Sequence, residues 1–187
     1  MMPGPSEAKN ELRARMRARL ANLPPAARQE RTARLLARLL ATERWRAAQS
    51  VLLFAPLSVE PDLDQLWLDG TKLADKHVFY PRMDGRRLVA CAVSAPAHEL
   101  RPIRWGLREP ASDAPTTALA EIGLALIPGL AFTAAGSRLG RGGGFYDRLL
   151  AEPDFRAHTV GLCFDFQLLP SLPLEAHDAA VGEVLTD

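Results

Sequence analysis

LALIPGLAFTAAGSRLGRGGGFYDRLL, residues 124–150, sets an apolar run, a short link, a glycine loop and an amphipathic run in series. The opening LALIPGLAF is short, continuously apolar and bounded by turn residues, and is read as one strand buried on both faces. Four of the chain's thirteen glycines then fall within five residues: Gly140, Gly142, Gly143 and Gly144. The run FYDRLLAE that follows reads as a helix, with Asp147 in its first turn. Strand, glycine loop and helix form the repeating unit of an α/β sheet, whose ligands collect beyond the carboxyl ends of the strands.

The same grammar extends in both directions. Leu12, Met16 and Leu20 are spaced as one face of a helix over residues 6–21, with Ser6 as its cap. Lys9, Arg13 and Arg17 share another face of it. A second helix starts at Pro24 and Pro25 and runs to about Thr42, burying Leu35, Leu36, Leu39 and Leu40. Strands are predicted at SVLLFAPL (50–57), HVFYPRM (77–83), RLVACAV (87–93), TVGLCF (159–164) and EVLTD (183–187), with a short helix in PDLDQLWLDG (61–70) and a turn at Asp84-Gly85. Residues 94–120 read as a long surface excursion. The expected architecture is a single α/β domain over residues 1–187, three-layered α/β/α around a mostly parallel sheet, with residues 1–6 a disordered tail.

Composition narrows the function classes. A 48% hydrophobic, 24% charged chain is ordinary for a soluble globular protein. No apolar stretch reaches membrane-spanning length and the first residues lack a leader-like apolar core, so a cytoplasmic location without membrane association is expected. Cys91 and Cys163 sit far apart in apolar runs and read as small buried hydrophobes. The four histidines lack metal-ligand spacing. Residues 1–50 carry eleven basic against four acidic side chains, a net +7 that leaves −6 for the rest. A basic arm suits nucleic acid, a phosphorylated small ligand, or a solvated helix face. The acidic remainder argues against nucleic acid.

The glycine loop is not one of the familiar phosphate motifs. A P-loop requires Lys-Ser/Thr after its last glycine, where Phe145 and Tyr146 stand. A dinucleotide fingerprint begun at Gly140 requires glycine at position 145. The loop therefore reads as a phosphate cradle of another kind or as a plain turn. Arg138 and Arg141 add forked donors to it. An acid beside phosphate is repelled unless a cation lies between, which makes Asp147 a candidate magnesium ligand and Asp178 a possible second one. Helix-dipole stabilisation and turn formation are their plainer roles.

Six segments, in order, resemble the 5-formyltetrahydrofolate cyclo-ligase family: KNELRARMRARL, FAPLSVEPDL, HVFYPRM with Lys76 before it, RWGLREP, the stretch LIPGLAFTAAGSRLGRGGGFYDRLL, and AHDAAVGEVLTD. The resemblance implies a Rossmann-like fold acting as a monomer on 5-formyltetrahydrofolate and ATP with Mg2+. It assigns ATP to Lys9, Arg13 and the segment Arg138, Leu139, Gly140, Arg141, Gly142, Gly143, Gly144, Phe145 and Tyr146. It assigns the folate to Ala55, Glu60 and Trp105, with Arg141 through Phe145 shared between the two. Catalytic roles fall on Arg138, Arg141 and Tyr146, and the metal on Asp147 and Asp178. Arg82 is left between the transferring phosphate and the substrate's glutamate tail. Two departures stand out: Pro61 stiffens the Glu60–Asp62 loop, and Gly143 occupies a position that is sometimes lysine. A non-catalytic folate or nucleotide binder on the same scaffold is the alternative.

Overall fold

A computed structural model describes residues 5–68 and 70–187. The chain opens with three helices, α1 (Pro5–Ala21), α2 (Pro25–Ala41) and α3 (Glu43–Ala47). Strands β1 (Ser50–Leu52), β2 (His77–Asp84) and β3 (Arg87–Ala92) follow, with a 3-10 turn at Leu63–Trp67 between the first two. The excursion holds α4 (Pro96–Glu99), the hairpin β4 (Leu100–Pro102)/β5 (Arg108–Pro110), and β6 (Thr116–Thr117). Then come β7 (Leu124–Ile127), β8 (Ala131–Phe132), β9 (Arg138–Leu139), α5 (Phe145–Leu150), β10 (His158–Cys163) and β11 (Glu183–Thr186).

Seven strands form one sheet in the order β11-β10-β7-β1-β2-β3-β6. It is parallel from β11 to β2, and antiparallel where β3 and β6 join one edge. Successive side chains of the central parallel strands meet opposite layers. Val51, Val78, Tyr80, Leu124, Leu126, Val160 and Leu162 face α2 and α3, where Leu35, Leu36, Leu39 and Trp45 cover them. Leu52, Phe79, Ala125, Ile127 and Cys163 face the opposite layer of Leu149, Phe155 and Phe132. Burial on both faces is why these strands read as unbroken apolar runs.

The sequence overextends two strands. β1 stops at Leu52, because the chain leaves the ladder ahead of Pro56, which has no N–H to donate. LALIPGLAF is not one strand: Pro128 ends β7, and the chain turns so that β8 pairs antiparallel with β9. Gly129 lies under the Phe132 ring, where a Cβ would come within 2.6 Å. The helix α1 begins at Pro5, a residue type suited to the first helical position, so positions 5 and 6 belong to it and only residues 1–4 of the expected tail lie outside the described residues. No helix among the described residues is long and apolar enough to cross a membrane.

The β8/β9 hairpin gives α1 its seat. Leu12, Met16 and Leu20 pack on Leu130, Ala131, Leu139 and Phe164. Burying side chains of this size stabilises by about 2 kcal/mol each. That packing also fixes where the polar face of α1 points, toward the loop between β9 and α5. Strand order reverses between β1 and β7, and the carboxyl ends of β1, β2 and β7 open there into a cavity.

Candidate active site

The cavity measures about 570 Å³. Phe54, Ala55, Pro81, Met83, Pro128 and Gly129 form its apolar floor at the strand ends. The glycine loop, Glu60, and Trp105 to Glu109 form its walls.

The glycine loop is held by its carbonyls. Arg13 Nε donates to Gly140 O (3.1 Å), Arg17 Nη2 to Arg141 O (2.9 Å) and Arg148 Nη2 to Gly143 O (2.9 Å). Gly142 and Gly144 have φ of 111° and 66°, the left-handed region that side chains avoid. Among the described residues, the amides of Gly142, Gly143 and Gly144 have no protein acceptor. Carbonyls tied to arginines and amides left over is the arrangement of an anion cup.

Inside the cup, Arg141 reaches across to Glu60. Its Nε and Nη2 donate to Glu60 Oε1 at 3.0 and 2.6 Å, and the Leu57 amide donates to Oε2 at 3.0 Å. Glu60 is buried, so the fork replaces the water it lost. Pro61 turns the chain on to Asp62, whose carboxylate caps the following 3-10 turn by accepting from Asp64 N. Arg138, also buried, donates from Nη2 to Asp147 Oδ1 at 2.5 Å. Its Nε is buried without a partner. The Arg138 guanidinium lies 5.9 Å from the centre of the Tyr146 ring. Burial first, and the nearby Glu60 second, push the Tyr146 phenol well above its ordinary value, so it stands as a neutral donor.

Trp105 is the one described non-glycine residue with positive φ, at 62°, followed by Gly106 at 74°. Such a backbone costs about 1–2 kcal/mol in a residue with a side chain. The ring is 77% exposed at the cavity mouth, so the strain serves no packing.

Several expected residues stand elsewhere. Leu139 faces α1 in the core, not the cavity. Lys9 does not point into the cup. Its Nζ binds Glu175 Oε2 at 2.6 Å and Asp178 Oδ2 at 2.5 Å, and it is fully buried. Burial opposes the charge, but the two carboxylates outweigh it and raise the Lys9 pKa. Asp178 is likewise penalised by burial, yet Lys9 and the Glu175 amide pull it below the ordinary carboxylate value. Asp178 Oδ2 is thus taken up by an ammonium and an amide, and the carboxylate clusters with Glu175 and His177. The two segments still meet, since the Ala179 amide leans on Asp147 Oδ1 at 3.4 Å. Arg82 holds the excursion, donating to Ala111 O and Ala114 O at 2.9 and 3.0 Å, and is not at the cavity wall. Arg17, Arg108 and Glu109 line the cavity although the sequence assigned them no site role; Arg17 carried the signal of its register with Lys9 and Arg13, and Arg108 and Glu109 that of the RWGLREP segment.

Residues 5–187 match the model of the 5-formyltetrahydrofolate cyclo-ligase family. The chain is 31% identical to the mouse 5-formyltetrahydrofolate cyclo-ligase over 96% of its own length and 94% of that protein's. It is 33% identical to the Escherichia coli enzyme of that name over 70% of its length and 71% of that protein's. Among solved structures, Aquifex aeolicus 5,10-methenyltetrahydrofolate synthetase superposes with a TM-score of 0.82 at 28% identity, covering 95% of this chain and 89% of that one. The Mycoplasma pneumoniae synthetase, at 18% identity and TM-score 0.75 over 95% and 97% of the two chains, shares the fold. An anion cup braced by an N-terminal arginine helix, a buried glutamate facing it, and a match running from the first described residue to the last place the chain in the 5-formyltetrahydrofolate cyclo-ligase family.

Proposed function

We propose that the cavity converts 5-formyltetrahydrofolate and MgATP to 5,10-methenyltetrahydrofolate, ADP and phosphate. The observation that carries this reading is the placement of Arg141 in both halves of the site, its carbonyl tied to α1 and its guanidinium to Glu60. One residue then adjoins both the nucleotide cup and the folate pocket.

A formamide oxygen is a poor leaving group. The formyl oxygen attacks the γ-phosphorus, the bond to ADP breaks, and an iminium phosphate forms at N5. N10 then closes on the formyl carbon, and the oxygen departs as phosphate. The chain's part is alignment and charge neutralisation. The free amides of Gly142 to Gly144 and the guanidinium of Arg13 receive the phosphates. Arg138, with its unpartnered Nε, and Arg141 face the oxygens that gain charge in transfer. Tyr146 donates a hydrogen bond from a phenol that stays protonated. Glu60 accepts from the pterin's amino and ring N–H donors. Trp105, presented at the mouth, stacks on the folate. Asp147 fits a magnesium ligand, as a carboxylate on the cavity wall; Asp178 fits the task of holding Lys9. Magnesium, held by Asp147, would supply positive charge that offsets the phosphates' negative charge.

The test is the methenyl absorbance band, followed with 5-formyltetrahydrofolate in the presence and absence of MgATP. The band should grow only with both substrates. Folded protein that produces none overturns the proposal.

A further inference from the structure

Ring closure creates a proton that something must remove. When N10 attacks the formyl carbon, its N–H becomes strongly acidic, and closure is irreversible only once that proton has gone. Among the described residues three carboxylates line the cavity: Glu60, Glu109 and Asp147. Two are committed. Glu60 holds the Arg141 fork and the Leu57 amide, and Asp147 holds Arg138. Among the described residues, none of the four histidines lines the cavity and Glu109 forms no ion pair.

Glu109 sits in β5, whose register with β4 pairs it with Arg101, and β5 lies along the end of β2. It lies four residues after Trp105, on the same wall, and Glu60 and Glu109 both bear on the phenol of Tyr146. We propose that Glu109 is the general base of ring closure, a catalytic residue that takes the N10 proton. This rests on the reaction proposed above.

The N10 lone pair forms the N10–C bond, and the N10–H bond breaks with its proton passing to the Glu109 carboxylate and its electron pair returning to N10. That pair delocalises into the amidinium as the C–O bond breaks and phosphate leaves with the oxygen. The proton is then released to solvent or to the departing phosphate. Burial raises the Glu109 pKa above its ordinary value of 4.5, and the Met83 amide and the Arg82 charge only partly offset it. The groups that face it are Arg82 from β2, Cys91 from β3 and Tyr146 from α5. The last two are held neutral by burial; Arg101 stands opposite on β4, and Arg82 is the charge that lowers the Glu109 pKa. A carboxylate nearer neutrality is a better-matched base than a free one.

Single-turnover formation of the methenyl band distinguishes the possibilities. In Glu109→Gln it should slow about 100-fold, within the range ascribed to a positioned base, while the KM values for ATP and folate stay within threefold. The parent rate should fall on the acid side of the pH profile, and the variant should lose that limb. In Glu109→Ala, added formate should restore the rate at least tenfold, which a merely structural residue would not allow. A Glu109→Gln rate within threefold of the parent, or no rescue of folded Glu109→Ala by formate, overturns the proposal. If the parent itself makes no methenyl product, the parent reaction falls and this step with it; a parent that does, beside a fully active Glu109→Gln, removes the base alone.

Discussion

Glu60 is held by the fold and, in the proposed reaction, also receives the folate. Its carboxylate accepts three donors from the protein, two of them from Arg141, and is almost without water. A folate presenting N–H donors has to displace or share that fork, so affinity depends on the carboxylate's charge and not only on its shape. Glu60→Gln should raise the folate KM about tenfold and leave the ATP KM nearly unchanged, since a charged hydrogen bond is worth about 1.4 kcal/mol more than nothing. Unchanged folate KM would show that Glu60 merely orients Arg141. Glycines separate the same two roles. Gly142 has φ of 111° and open space around it, with Arg13 Cζ the nearest atom at 3.8 Å. Gly136 has φ of 88° and the Val181 carbonyl only 2.2 Å from where a Cβ would be. Gly142→Ala should therefore strain the cup and weaken ATP binding, at a stability cost of about 1–2 kcal/mol. Gly136→Ala should lower the melting temperature more, because the 175–182 segment has to move. Calorimetry alongside ATP titration checks both, and equal losses of stability would contradict the assignment.

At the scale of elements, α1 is the part that works in two directions. Its apolar face sits on the β8/β9 hairpin, its arginines on the glycine loop, and Lys9 on the 175–178 turn. The Lys9–Asp178 pair gives this clamp a pH window. Asp178 is depressed below 3.8, so its contribution is present above that value and lost as pH falls through the lower folded value. Lys9 is raised above 10.5, so its contribution is full below that value and lost as pH climbs through the higher folded one. Lys9→Met should cost about 2 kcal/mol at neutral pH, below the range for fully buried pairs because Glu175 keeps contact with water. The deficit should shrink as pH drops toward 3. A deficit independent of pH would mean that Lys9 acts by packing alone. Much of this was legible beforehand. The helical spacing of Leu12, Met16 and Leu20 and the two-faced apolar runs located α1 and most strands. The β8/β9 hairpin was not, because Pro128-Gly129 sits inside a continuous apolar run and composition alone does not show where the ladder breaks.

For the whole molecule, the sheet's change of direction between β1 and β7 is what gathers residues 54–60, 105–109 and 138–147 around one cavity. Local patterning points to the glycine loop, since glycines and arginines so dense have few other uses. It gives no sign that Glu109 and Arg108 share that cavity, because the contact is made by a hairpin packed across β2. Nor does it reveal that Lys9, matched to ATP by the resemblance, and Asp178, matched to the metal, are paired with each other. If the glycine cup holds nucleotide as proposed, the ligand should stabilise the whole folded protein. A ligand that binds only the native state at a hundred times its dissociation constant adds about 2.7 kcal/mol of stability. For a chain of 187 residues that corresponds to a rise in melting temperature of roughly 5–10 °C. MgATP should give such a rise, and ATP without magnesium a smaller one. Arg13→Ala removes the donor to Gly140 O from α1 and should lose most of the shift while retaining the parent's melting temperature to within about 3 °C in its absence. A full shift in Arg13→Ala would mean that the opening helix braces the loop without touching phosphate, and no shift in the parent would mean that the cup does not hold the nucleotide at all.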